Sequence, residues 1–158
     1  MIVAKAIPWP VACWWRLPGP LRLVAPLLVM GALWWLSSQQ PTPRPPAPWR
    51  SFLHNGAHVV AYAALATAWC LVRRWSGLGW PRVAILLTVA YGVVDDLHQA
   101  YVPGRVSSVG DVLTDAAGAV TAWCVLRWWL GEPSARRWLP WCLLGCLASV
   151  AQATWGPL

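Results

Sequence analysis

Apolar runs of bilayer length recur along this chain and constrain it more than any other feature. Leu21 to Ser37, Phe52 to Val72, Pro81 to Val102 and Val109 to Leu130 are each close to the roughly 20 residues that cross a hydrocarbon core of about 30 Å as a helix. A fifth run, Trp138 to Trp155, is shorter and contains Pro140 and Gln152. The expected fold is all-α: a polytopic transmembrane helix bundle of four core spans plus a fifth, C-terminal span. Of the 158 residues, 58% are hydrophobic and 11% charged, which leaves no room for a large soluble domain. Residues 1–20 read as a cytoplasmic N-terminal segment, 21–130 as the transmembrane domain and 131–158 as an extension carrying the fifth span.

The first run reads as a signal anchor rather than a cleaved signal peptide, because no small-x-small site follows it. It leads into PTPRPPAP, whose prolines predict an extended surface loop. Pro81 suits a helix start, and Pro103 with Gly104 in YVPGR predicts a stop and a tight reversal. The 15 tryptophans fall mostly near the ends of the runs, where amphipathic rings favour the headgroup region. The five cysteines contain no CxxC pair and read as small packing residues.

A net charge of +7 raises nucleic acid as a partner, but the basic residues lie between apolar runs rather than along one polar face. They read as topology signals, and membrane lipids are the expected surroundings. Lys5, Arg16, Arg22, Arg73, Arg74, Arg82, Arg127, Arg136 and Arg137 fall on one side, with Arg44, Arg50 and Arg105 on the other. The positive-inside rule then places the N-terminus in the cytoplasm and the VPGR turn outside.

All three histidines and four of the five acidic residues lie between His54 and Asp115. Ionisable groups inside spans are costly and usually face a protein interior or a wet cavity, which makes this window the candidate site. At 1.5 Å per residue, His58, Asp95 and Asp115 come out about 9–10 Å below the outer boundary. His54, Gln99 and Asp111 form a shallower layer, and Tyr62 and Tyr91 lie about 15–16 Å deep as a floor. His54 and His58 share a helix face, as do Asp111 and Asp115, and Tyr91, Asp95 and Gln99, with His98 joining the last set. Asp96 is rotated about 100° away and is expected to pair with Arg105.

Each residue also has a plainer role. His58 alone fits a hydrogen-bonded interior histidine, Asp111 after Ser107 and Ser108 favours a helix N-terminus, and Gly118 suits close helix packing. Imidazoles and carboxylates converging on one layer are equally what a divalent-metal site on His54, His58, Asp95 and Asp115, an acid/base pair or a proton relay would use.

The segments HNGAHVVAYAALA and AYGVVDDLHQAYVPGRVSSVGDVLTDAAGAV carry a resemblance to the VanZ-like family of small bacterial membrane proteins. His58, Tyr62, Asp95, Gln99, Pro103, Gly104, Arg105, Asp111 and Gly118 match that family's pattern. His54 and Asn55 stand where it usually has Asp and Lys, Asp96 where it has Glu, and Asp115 where it has Asn. The resemblance spans roughly Leu21 to Leu130 and implies a multi-pass protein of the bacterial inner membrane. The family's name comes from a member linked to teicoplanin resistance, so the expected role is in the cell envelope, affecting glycopeptide sensitivity through an outward-facing polar pocket.

Three classes of function follow. A binding pocket for an envelope lipid, precursor or glycopeptide would use Arg105 for charge, Tyr62, Tyr91 and Tyr101 for contact area, and Gln99, Asp111, Asp96 and His98 as further polar contacts. A hydrolase or transferase acting on a lipid-linked substrate would rest catalysis on His58, Asp95 and Asp115, although no HExxH or nucleophile elbow is present. A proton-coupled transporter is disfavoured because the polarity stops before the inner halves of the spans.

Overall fold

A computed structural model describes residues 8–41, 47–74, 79–105 and 107–155. The chain is helical, and no strand occurs among the described residues. Its elements are α1 (Trp9–Trp14), α2 (Gly19–Ser37), α3 (Pro48–Val72), α4 (Gly79–Gln99), α5 (Val109–Trp129), a 3-10 segment (Pro133–Trp138) and α6 (Leu139–Trp155). Helices are the natural answer for an apolar chain in lipid, where every backbone group must find its partner within the segment. Residues 42–46 of the proline-rich stretch, expected to be extended, lie outside the described residues, as do Lys5 and Arg44.

Local chemistry sets the boundaries. Proline occupies the first turn of α1, α2 and α3, where a missing N–H costs nothing. At Pro48 the helix starts about one turn earlier than the apolar pattern predicts. The α4 helix stops at Gln99, three residues short of the expected Val102, and Gly104 supplies the left-handed turn with φ 82°. The Ser108 hydroxyl caps α5 by accepting from the Gly110 N–H at 3.1 Å. That leaves Asp111 in the first turn, where a carboxylate suits the helix dipole.

By length and composition α2, α3 and α5 can each cross a membrane. The α4 helix has the same 21 residues as α5 but carries Arg82, Asp95 and Asp96. The 17 residues of α6 contain no charged side chain.

The α3–α5 contact is the most extensive in the bundle. It is made by small residues: Ala66, Ala119 and Ala122 are buried together, and a Cβ on Gly118 would overlap the Val59 carbonyl oxygen. Small side chains let backbones approach closely where water-driven burial is not available to hold helices together. On the outside of this pair, α6 returns along α5. Cys142 lies 3.3 Å from Cys124 at one end, Cys146 contacts Thr121 in the middle, and Ala153 rests on Gly110 at the other. Asn55, buried in α3, donates to the Thr154 hydroxyl at 3.0 Å. The extension is therefore packed along the whole bundle.

The two ends differ in chemistry. At the C-terminal end of α3, the indoles of Trp14 and Trp15 both donate to the Leu71 carbonyl, at 3.0 and 3.1 Å, and Trp80 donates to Trp69 at 2.9 Å. These bonds satisfy carbonyls that a helix end leaves without intrahelical partners. Arg127 nearby donates from Nε to Glu132 at 2.7 Å and also from Nη2, which holds the Glu132 carboxyl below its usual range. The short α1, not foreseen in the sequence, brings two of these indoles into place.

Val59 O is backbone and cannot swing aside from a new side chain. Gly118→Ala is expected to lower unfolding stability in detergent by about 1–3 kcal/mol. Gly145→Ala, at a helical glycine with nothing within 4 Å, should leave it nearly unchanged.

Candidate functional site

Helix direction gathers the polar groups. The α3 and α5 helices start at the end where α2 and α4 finish, so His54, His58, Asp111 and Asp115 descend from it while Ser37, Asp95 and Gln99 rise towards it. Side chains lean back towards their helix N-terminus, which brings the Tyr62 hydroxyl up a turn from its own Cα.

Asp95 is 3% exposed and is held by three donors. Ser37 of α2 donates at 2.6 Å to Oδ1, and Tyr62 of α3 and Gln99 of its own helix donate to Oδ2 at 3.4 and 3.2 Å. A carboxylate taken out of water needs this number of partners to remain tolerable. Arg105 extends the network, donating to Gln99 Oε1 at 3.3 Å and to the carbonyls of Leu36 and Gln39 at 2.8 and 3.1 Å. It thereby straps the last turn of α2 to the loop after α4.

A second unit lies on the α5 side. His58 Nδ1 is 3.1 Å from Asp115 Oδ1, and Asp115 is 1% exposed. With Nδ1 donating to the carboxylate, Nε2 is the ring atom left for the cavity. Gly92 of α4 makes room for this pair: a Cβ there would lie 2.8 Å from Asp115 Oδ2 and 3.1 Å from the Tyr62 ring. The His54 ring meets His58 edge-on at 5.0 Å between centroids, and Asp111 sits half-buried one turn before Asp115.

Between α2, α3 and α4 a cavity of about 300 Å³ opens. Its polar wall is formed by Ser37, His54, His58, Tyr62, Asp95, Gln99 and Arg105, and its apolar wall by Leu33, Leu36, Ala57 and Ala61. A volume of this size is at the lower end of small-molecule sites.

Several expectations change. Asp96 does not pair with Arg105; it turns towards the start of α5, accepting from Ser107 Oγ at 2.6 Å and the Ser108 N–H at 3.3 Å. The rotation of about 100° explains this, since it turns Asp96 away from the α2 and α3 groups that Asp95 meets and towards α5. His98 does not line the cavity: it approaches Ser38 Oγ at 3.0 Å and stacks on Trp34 at 3.9 Å. Tyr91 is not part of the cavity floor: its hydroxyl donates to the Met30 carbonyl at 2.6 Å. Tyr101 is 88% exposed and does not line the cavity.

The four residues read as metal ligands are also divided. Among the described residues no three His, Cys, Asp or Glu side chains are grouped to hold a metal ion. Asp95 is taken up by Ser37, Tyr62 and Gln99, while Asp115 is occupied by His58. Ser37, Ser38 and the apolar wall of α2 were not anticipated. Their only signal in the sequence is a pair of hydroxyls closing an otherwise apolar run.

The Ser37–Asp95 bond is short, buried and charge-assisted, so a double-mutant cycle with Ser37→Ala and Asp95→Asn is expected to show a coupling energy of about 1.5–3 kcal/mol in detergent unfolding.

The chain matches none of the curated proteins and none of the solved structures compared with it. It does match the VanZ/LLP1 family over residues 19–130, the stretch from the first residue of α2 to the residue that follows α5. That region contains every residue of the cavity wall and well over half of the chain, and the protein thus belongs to the VanZ-like family of membrane proteins.

Proposed function

We propose that this protein lies in the bacterial cytoplasmic membrane as four core spans, α2 to α5, plus α6 as a fifth, with residues 1–20 beginning in the cytoplasm. On this reading the cavity opens on the outer face and lowers the sensitivity of the cell envelope to glycopeptides such as teicoplanin. The observation that carries it is the built cavity: a buried carboxylate network, an arginine strap and a His–Asp pair surround one volume at a single end of the bundle.

One fact supports the orientation and a second the span count. Arg73, Arg74, Arg82, Arg127, Arg136 and Arg137 gather at the end opposite the cavity, as the positive-inside rule asks of a cytoplasmic face. The fifth crossing is supported by α6, which is about 25 Å long at 1.5 Å per residue and lies along α5 from the Cys124 level to Gly110. Reporter fusions are expected to place the N-terminus inside and the C-terminus outside; a cytoplasmic C-terminus would remove the fifth crossing.

A sensitive host expressing the protein should require more teicoplanin for growth inhibition, and Asp95→Ala or Arg105→Ala accumulated to equal levels should lose that protection. No protection from the wild type would reduce the family relation to one of fold.

The His58–Asp115 pair supports a second reading, an acid/base-dependent hydrolase or transferase acting on a lipid-linked envelope substrate. Asp115 would orient the ring and His58 Nε2 would move a proton at the cavity. Under this reading His58→Gln abolishes protection while ligand binding survives; under pure binding, protection survives with it.

A further inference from the structure

The cavity is amphipathic along its length, and this bears on what enters it. Gln99 and Arg105 lie at the C-terminal end of α4 and the turn beyond it, and His54 lies one turn above His58, so the polar wall is concentrated at the end of the bundle. Leu33 and Ala61 lie deeper, one turn below Ser37 on α2 and one turn below Ala57 on α3. Leu36, His54 and Ala57, all exposed wall residues, mark the mouth along the α2–α3 edge rather than at the loop end alone. In a bundle surrounded by lipid this edge faces acyl chains.

The charge available at the mouth is positive. The wall carboxylate Asp95 lies one turn deeper than Gln99 and has its oxygens taken by three donors, Asp115 has His58, Asp96 is turned to the start of α5, and Asp111 is not part of the cavity wall, which leaves Arg105 as the charged group at the mouth. The three hydrogen bonds described for Arg105 use three of the five N–H groups a guanidinium carries, leaving two to offer a ligand. A planar guanidinium held in place by backbone carbonyls is well suited to phosphate oxygens. At about 300 Å³ the cavity takes a headgroup and the first carbons of a chain, and a glycopeptide is many times too large for it.

Building on the proposed function, we infer that the ligand is a phosphate-bearing membrane lipid that enters sideways between α2 and α3, its phosphate on Arg105 and His54 and its chain leaving past Leu33 and Ala61 into the bilayer. Protection from glycopeptides would then act through an envelope lipid rather than through capture of the antibiotic. Ser37 and Ser38 bring the α2 wall to this position by their bonds to Asp95 and His98.

The test uses the full chain in detergent micelles and measures binding of four probes: dioctanoyl phosphatidic acid, farnesyl monophosphate, dioctanoyl phosphatidylcholine and inorganic phosphate. One or both lipid phosphates should bind at least about tenfold more tightly than the phosphocholine lipid, and inorganic phosphate more weakly than either lipid phosphate. Whichever lipid phosphate binds better identifies the source, a glycerolipid or an isoprenoid.

Arg105→Ala should weaken the preferred probe by about tenfold or more, with Arg105→Lys intermediate. Because Arg105 also straps α2, Ala61→Trp provides an independent check: it fills the chain path without touching the strap and should weaken lipid phosphates. Equal binding of phosphatidylcholine, or lipid-phosphate binding unchanged in Ala61→Trp, overturns the proposal. Labelling of His54→Cys by a membrane-impermeant maleimide in whole cells, on a background without the native cysteines, reports the outward orientation separately. Lipid binding without labelling would sink the outer-face reading alone, and labelling without lipid selectivity would sink the lipid alone.

Discussion

The buried carboxylate of Asp95 is the interaction on which the rest of the site depends. A charge with 3% exposure in a helix bundle must be met by donors, and the three it has come from α2, α3 and its own helix. Satisfying one oxygen pair therefore fixes the relative position of three helices. The consequence is clearest for α2, of which only Pro26 and Ser37 are buried. It is held largely by polar contacts: Ser37 to Asp95, Ser38 to His98, the Met30 carbonyl to Tyr91, and Arg105 to the carbonyls of Leu36 and Gln39.

This division of labour separates a scaffold from a wall. The α3–α5 pair is close-packed through Gly118, Ala66, Ala119 and Ala122, with α6 seated on α5 at Gly110 and tied to α3 by the Asn55–Thr154 bond. Such an interface tolerates little change in volume. The α2 wall, joined by hydrogen bonds with a cavity behind it, leaves space for a ligand without loosening the core. His58 belongs to the scaffold side through Asp115 and to the cavity through its free edge, which is the arrangement either a binding or a proton-transfer role would use.

Much of the architecture was legible because it rests on one-dimensional properties. Apolar length located the long helices, and proline, glycine and Ser108 marked their limits to within about one turn. The gathering of His and Asp residues between His54 and Asp115 pointed to the right end of the bundle because ionisable residues are costly in lipid wherever they occur. Gly118 was recognised as a packing position because a missing side chain has few other uses in the middle of an apolar helix.

Which side chains meet was decided only by the tertiary structure. Depth along a helix is a function of sequence number, whereas the partner of a residue depends on the rotation and tilt of helices that the sequence does not state. Asp95 and Asp96 are adjacent in sequence, yet one faces Ser37 and Tyr62 and the other Ser107. His98 and Tyr91 share a face with Asp95 by spacing and meet α2 as it does, but at Ser38 and the Met30 carbonyl, outside the cavity wall. The amino-acid sequence by itself determined that this is a helical membrane protein of the VanZ-like family with its polar groups at one end. The packing of α2 against α3 and α4 turned those groups into a cavity, since only the arrangement of helices in space decides whether neighbouring polar residues satisfy one another or enclose a volume.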